Sequence, residues 1–253
     1  MSEEPASYSY DREGERYAGI RRPDPRIARH VHDALGAART VINVGAGAGS
    51  YEPEDRYVVA VEPSAVMRAQ RPKHLAPALA GTADALPFDD GAFDAAMAML
   101  TVHHWPDPAA GLRELRRVTS GPVVILTFDP EASTEFWMFD YAPEMADVER
   151  RRYVSPRIIT AALGGTSELR PIPVPHDCVD RFQVALYARP EAFLDSEVRR
   201  AQSAWTFLPP GVEDRVMQSL ADDLESGAWD RRYGALRAKP FIDCQLRLIV
   251  ARR

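Results

Sequence analysis

Short apolar runs separated by turn-forming residues recur through the first half of the chain. TVINVG (40–45), VVAVEP (58–63), FDAAMAMLTV (93–102) and PVVILTFD (122–129) are nearly continuous in apolar residues. Runs of that length without alternation mark strands buried on both faces. Between them the period changes. From Arg26 to Ala38, the residues Ile27, Val31 and Leu35 share one face of an expected helix. Asp107 and Pro108 read as the N-cap and first position of another, with Leu112, Leu115 and Val118 along its buried side. Strand and helix alternate, which predicts a parallel sheet with crossover helices.

The second half is less regular. Residues 130–152 hold the aromatics Phe136, Trp137, Phe139 and Tyr141, then VERRRY, whose charges read as a solvated helix face. SPRIITAALGG (155–165) reads as a helix ended by glycine. Pro171, Pro173 and Pro175 fall at alternate positions, so in a strand their missing N–H groups line one side. Such a strand pairs on its other side only and belongs at the border of a sheet. Residues 180–238 read as mostly helical, broken at Pro209 and Pro210, and FIDCQLRLIVARR as a last strand. Residues 1–24, polar and carrying Tyr8, Tyr10 and Tyr17, read as an arm lying on the single domain that 1–253 forms. The segments 130–152 and 180–238 are the expected cap and substrate-pocket insertions.

Composition narrows the function. The chain has 253 residues, 45% of them hydrophobic and 27% charged, the balance of an ordinary globular protein. A net charge of −6 argues against a nucleic-acid partner. No apolar run approaches the roughly 20 residues of a membrane span, and the acidic start MSEEPASYSYDREGERY does not read as a signal peptide. The two cysteines, Cys178 and Cys244, make no disulfide framework and have no metal-ligand spacing, so no metal site is expected and the cytoplasm is the expected compartment.

Candidate chemistry starts at VINVGAGAGSYEP (41–53). Gly45, Gly47 and Gly49 follow a strand and precede a helix, where bare backbone can bend and face a ligand. A dinucleotide fingerprint would place its third glycine at Ser50, which counts against a nicotinamide oxidoreductase. Glu62, at the end of the second run, is placed to accept two ribose hydroxyls in the crevice beside that loop. Thr82 and Ala83 read as the end of a further strand, with Asp84 beyond it to accept from an exocyclic amine. Loop, Glu62 and Asp84 together describe a nucleoside site without a pyrophosphate. The bland alternatives are a tight turn and two solvated acids.

VINVGAGAGSYEP, VVAVEPSAVM, GTADALPFDDGAFDAAMAMLTVHHW and LRELRRVTSGPVVILTFDP resemble the successive motifs of class I S-adenosylmethionine-dependent methyltransferases, closest to the small-molecule type 11 branch. The resemblance spans roughly residues 41–129. It implies a Rossmann-like, mostly parallel seven-stranded sheet flanked by helices, with an antiparallel strand near one edge and a helical cap. It also implies S-adenosylmethionine as cofactor, S-adenosylhomocysteine as product and a small-molecule acceptor. The cofactor set it suggests adds Asn43, Ala46, Pro63, Ala83, Ala85 and Leu100 to the residues above. Asn43 stands where the family commonly has an acid, which leaves the methionine amino group less strongly paired. YAGIRRPDP resembles a Y-x-x-x-R-P segment that brings an arginine to the cofactor carboxylate, with Arg22 first in line and Arg21 next.

His103 and His104, past the run 93–102, are the candidate bases for an acceptor that must lose a proton. In a strand continuation their side chains would diverge, so one at most should face a pocket. Packing against Trp105 is the alternative. Asp129 is a further polar group on the same rim. A second functional reading keeps the cofactor without net methyl transfer, as in a cyclase or rearrangement enzyme on the same fold; a binding module has no feature in its favour.

Overall fold

The computed structural model describes residues 17–132 and 136–253. Most of the expected arm, with Tyr8 and Tyr10, lies outside the described residues. The strands are β1 (Thr40–Val44), β2 (Tyr57–Val61), β3 (Ala95–Met99), β4 (Val123–Phe128), β5 (Thr166–Pro171), β6 (Val174–Pro175), β7 (Phe241–Ile242) and β8 (Leu246–Arg252). Six of them form one sheet in the order β2-β1-β3-β4-β8-β5, and β6 pairs with β7 separately. The first four are mutually parallel, while β8 runs antiparallel between β4 and β5. The fold is therefore Rossmann-like with a reversed hairpin at one border.

Six strands stand where seven were expected. The segment at 79–84 contributes a single bridge, Leu79 to Val61, and then turns, so Thr82 and Ala83 are not in a strand. With Pro77 just before it and Gly81 just after, that stretch cannot hold a longer ladder. The proline reading holds at the sheet border. Ile172 N–H donates back to β8 at Leu246 (3.0 Å), so the flanking prolines have their nitrogens on the outer side. Pro175 has moved into β6, beyond the edge strand.

Helix α1 covers Tyr17–Ile20 and α2 Pro25–Ala34. The second starts at Asp24, whose carboxylate accepts from Arg26 N–H, and buries Ile27 and Val31. It stops short of Ala38 because the chain turns at Gly36, with φ of +60°. Next come α3 (Ala65–Ala69) and α4 (Pro108–Arg117), the latter capped by Asp107 accepting from Ala110 N–H as its sequence predicts. Then follow α5 (Met138–Tyr141), α6 (Pro143–Arg152), α7 (Pro156–Leu163), α8 (Ser196–Arg200), α9 (Val212–Glu225) and α10 (Ala228–Tyr233). Much of 180–211 is short 3-10 turns rather than regular helix.

Alternate residues of each central strand supply two cores. Ile42, Val44, Val123 and Ile125 pack beneath α4 and α7, while Val41, Val124 and Leu126 face α2 and the cap. Inside the cap Trp137 is buried, with edge-on neighbours Phe193 (5.6 Å) and Trp229 (5.5 Å), and its indole N–H donates to Tyr187 carbonyl (2.9 Å). Among the described residues no helix is long and apolar enough to cross a membrane.

Candidate active site

Two cavities open at the carboxyl ends of β1–β4. The first is lined by Arg21, Gly45, Gly47, Tyr51, Glu62 and Leu100, among others. Its floor is the turn after β1. Gly45 and Ala46 N–H groups both donate to Val61 carbonyl (2.9 and 3.0 Å), which ties the loop to the end of β2. Gly45 and Gly47 take φ of +69° and +52°, the left-handed region that a side chain disfavours. A Cβ on Gly45 would come within 2.1 Å of Thr101 Oγ1, so close packing as well as conformation demands glycine there.

Glu62 is 6% exposed and held by the backbone on both sides. Gly47 N–H donates to its Oε2 and Ser64 N–H to its Oε1, each at 2.8 Å. Those bonds fix the carboxylate at the wall of the cavity. Tyr51 and Arg21 are fastened to the cap residue Asp180. The phenol donates to Oδ2 at 2.6 Å and Arg21 Nε to Oδ1 at 2.5 Å. Burial, then the Asp180 charge, raises the Tyr51 hydroxyl well above the ordinary phenol range.

The second cavity adjoins the first through Arg21 and Leu100, which line both. Leu100 follows β3 with φ of +53°, a strained conformation for a leucine, anchored by its N–H to Leu126 carbonyl (2.8 Å). Phe128, Tyr153 and Phe182 give the cavity aromatic walls, and His103, His104, Glu149, Gln183 and Gln202 give it polar ones. The two imidazoles are tilted against each other with centroids 4.0 Å apart, and the Tyr153 ring lies 4.3 Å from His103. Burial, then the charges of Arg152 and Arg21, hold His104 down to about 3. Burial and the same neighbours push His103 well below the ordinary imidazole range. Both rings are neutral at physiological pH. Glu149 goes the other way: burial raises it to about 7, against the pull of Arg152.

The structure brings Gly45, Gly47, Glu62 and Leu100 together in the first cavity, and His103 and His104 in the second. Both histidines face it because 102–104 is a 3-10 turn instead of a strand continuation. Trp105 packs over Gly111, away from them. Other expected residues stand elsewhere. Arg22 is exposed, and the neighbouring Arg21 holds the cavity position. Asn43 is buried beside the loop, its Nδ2 donating to Glu52 (2.8 Å), which in turn pairs with Arg71 (2.8 Å). Gly49 packs on Leu75 instead of facing the cavity, and Ala46 is buried through its bond to Val61. Pro63, Asp84 and Ala85 are exposed, Ala83 is buried, and none of the four lines either cavity. Because the strand before Asp84 shrinks to one bridge, its carboxylate stays at the surface.

The aromatics Phe136, Trp137, Phe139 and Tyr141 belong to the cap core rather than to a pocket, and Asp129 lines neither cavity. Sequence reasoning passed over Tyr51, Asp180, Gln183, Gln202 and Glu149. For Glu149 a signal exists. It lies four residues after the buried Met145, on the inward side of α6, so it is not part of a solvated face.

Residues 42–126 match the family model described as a methyltransferase domain. A protein of Anabaena variabilis, described as a candidate methyltransferase from an antibiotic biosynthesis pathway, shares the fold with a TM-score of 0.85. The identity is 29%, over 92% of this chain and 99% of that one. An uncharacterized methyltransferase of Mycobacterium bovis is 39% identical over 90 residues, 32% of this chain and 36% of its own. The demethylmenaquinone methyltransferase of Mycolicibacterium gilvum is 36% identical over 100 residues, 37% of this chain and 44% of its own. The matched region thus spans less than half the length of these curated relatives. The [4+2]-cyclase SpnF shares the fold alone, with a TM-score of 0.53 at 16% identity, over 95% of this chain and 92% of that one. The fold is that of Rossmann-like methyltransferases. Within it, residues 42–126 match the domain model of the type 11 branch of class I S-adenosylmethionine-dependent methyltransferases.

Proposed function

We propose that the protein transfers a methyl group from S-adenosylmethionine to a small-molecule acceptor and releases S-adenosylhomocysteine. The observation that carries this reading is the pair of adjoining cavities sharing Arg21 and Leu100. One is walled by the glycine turn and Glu62, the other by rings and neutral polar groups, so donor and acceptor meet across Leu100.

The cofactor, when bound, supplies a methyl on a positively charged sulfur, so the enzyme needs alignment more than a nucleophile of its own. The residues present suit it. Glu62, held by two backbone N–H groups, presents a fixed carboxylate to the hydroxyls of a ribose. Gly45 and Gly47 leave room that a Cβ would direct into Thr101 and Met67. Arg21, fixed by Asp180, offers its guanidinium to a carboxylate, the role first expected of Arg22. The second cavity has the lining of a small-molecule pocket, with flat apolar walls and a few polar groups.

Glu62→Ala is expected to weaken S-adenosylhomocysteine binding at least about tenfold, the loss of one charged hydrogen bond of about 1.5–3 kcal/mol. Calorimetric titration checks this, and unchanged affinity overturns the site. Incubation with methyl-labelled cofactor and candidate acceptors separates transfer from a cyclase role, because only transfer moves label.

A further inference from the structure

We infer that Glu149 is the proton acceptor of the second cavity and that the compound it deprotonates is a small phenol, methylated on oxygen. This rests on the methyltransferase reading above. Glu149 sits on the inward side of α6, 7% exposed, and lines the cavity together with His103, His104, Phe128, Tyr153 and Phe182. No described residue donates a hydrogen bond to its carboxyl. A carboxyl buried without a donor costs stability unless something else supplies one. Gln183 repeats the pattern: it is 7% exposed, lines the same cavity, and neither Nε2 nor Oε1 has a hydrogen-bond partner. Gln202, 5% exposed, leaves its Oε1 unpartnered there too. The Glu149 carboxyl, both ends of the Gln183 amide and the Gln202 Oε1 lack partners, and together they describe a site built for a ligand that both donates and accepts.

The surrounding charges select the ligand's chemistry. Arg152, one turn along α6, and Arg21, from the segment before α2, act on the cavity; His103 and His104 from the turn after β3 are neutral, and Tyr153 borders them. Arg152 lies over the Phe207 ring and donates to Ser203 Oγ (3.0 Å), so its position is fixed. A positive field repels an ammonium and favours an acceptor that becomes an oxyanion as its proton leaves. The rings of Phe128, Tyr153 and Phe182 favour a flat body. A hydroxyl on an aromatic ring meets both conditions.

In the step, the hydroxyl oxygen uses a lone pair to form the new bond to the methyl carbon. The carbon–sulfur bond breaks with its electron pair going to sulfur, which becomes a neutral thioether. The hydroxyl proton passes to the Glu149 carboxylate, which becomes a carboxylic acid and later returns the proton to solvent. The histidines lack the basicity for this role, whereas an acid near neutrality is matched to it.

The test uses the full chain, methyl-labelled S-adenosylmethionine, and three probes: phenol, 4-nitrophenol and aniline. The expected result is label on the phenol oxygen, with a wild-type rate that rises with pH through about 7. Glu149→Gln should lose at least about 100-fold, with S-adenosylhomocysteine affinity retained and a thermal midpoint no lower than that of wild type, and its rate should no longer follow that pH rise. Glu149→Asp should restore part of the activity. The loss in Glu149→Gln should be smaller with 4-nitrophenol, whose proton leaves more readily. Label on aniline but on neither phenol, or on no probe although S-adenosylhomocysteine binds, overturns the acceptor class. A Glu149→Gln enzyme with wild-type rate and pH profile overturns the base. Failure of the wild type to bind S-adenosylhomocysteine overturns the methyltransferase reading itself.

Discussion

Glu149 has a consequence for stability that is independent of any substrate. Its acid is raised from 4.5 to about 7 in the folded chain, chiefly by burial. Below pH 4.5 the group is protonated whether folded or unfolded and contributes no difference. Between these values the folded chain keeps a proton that the unfolded chain has released, so stability falls as pH rises. Above pH 7 the cost reaches on the order of 3 kcal/mol. Glutamine bears no such cost. Glu149→Gln is therefore expected to be more stable than wild type by about 1–3 kcal/mol at pH 8, and near equal at pH 4. Urea unfolding at the two pH values checks this; equal stability at pH 8 shows that the carboxyl is not buried as described. His103 and His104 have the opposite sign. Their depressed values give stability that is present above the ordinary imidazole value of 6.5 and lost as pH falls through and below it. That loss is common to both proteins and cancels in the comparison.

Elements explain why some of the site was legible and some was not. The glycine turn could be read directly, because positive φ and close approach leave few residue choices. Gly45→Ala is expected to cost about 2–4 kcal/mol, from left-handed strain plus the contact with Thr101. Thr101→Ala should recover part of that loss in the double variant. Urea unfolding of the four proteins measures both effects, and a single variant as stable as wild type refutes the packing. The N-cap at Asp107 and the edge prolines were legible for the same reason: missing donors and short polar side chains act locally. The 3-10 turn at 102–104 was not. Nothing in VHH distinguishes it from a continuing strand, and the turn brings both imidazoles to one side where a strand would part them. Arg22 and Arg21 likewise differ only in which one the helices on either side turn inward.

At the scale of the molecule, Asp180 joins three parts that are distant in the chain. It holds Arg21 from the segment before α2, Tyr51 from the glycine turn, and its own place at the start of the cap's short helices. The carboxylate is buried, so loss of its charge breaks a buried ion pair with Arg21. Asp180→Asn is expected to destabilise the protein by about 3 kcal/mol and to weaken S-adenosylhomocysteine binding, as Arg21 and Tyr51 both line that cavity. Denaturant unfolding and calorimetry test the two parts; wild-type values in both refute the coupling.

Hydrophobic runs, their periods, the alternating prolines and the glycine spacing were enough to specify a parallel sheet, a strand at its border and the turn beside Glu62, because each follows from interactions a few residues apart. Which arginine enters the crevice, that both histidines share one cavity, that Asp84 stays outside, and that Glu149 lies unpartnered at its wall all depended on packing between segments far apart in the chain. Burial and the neighbouring charges belong to that packing. They turn an ordinary glutamate in a charged run into an acid poised near neutrality.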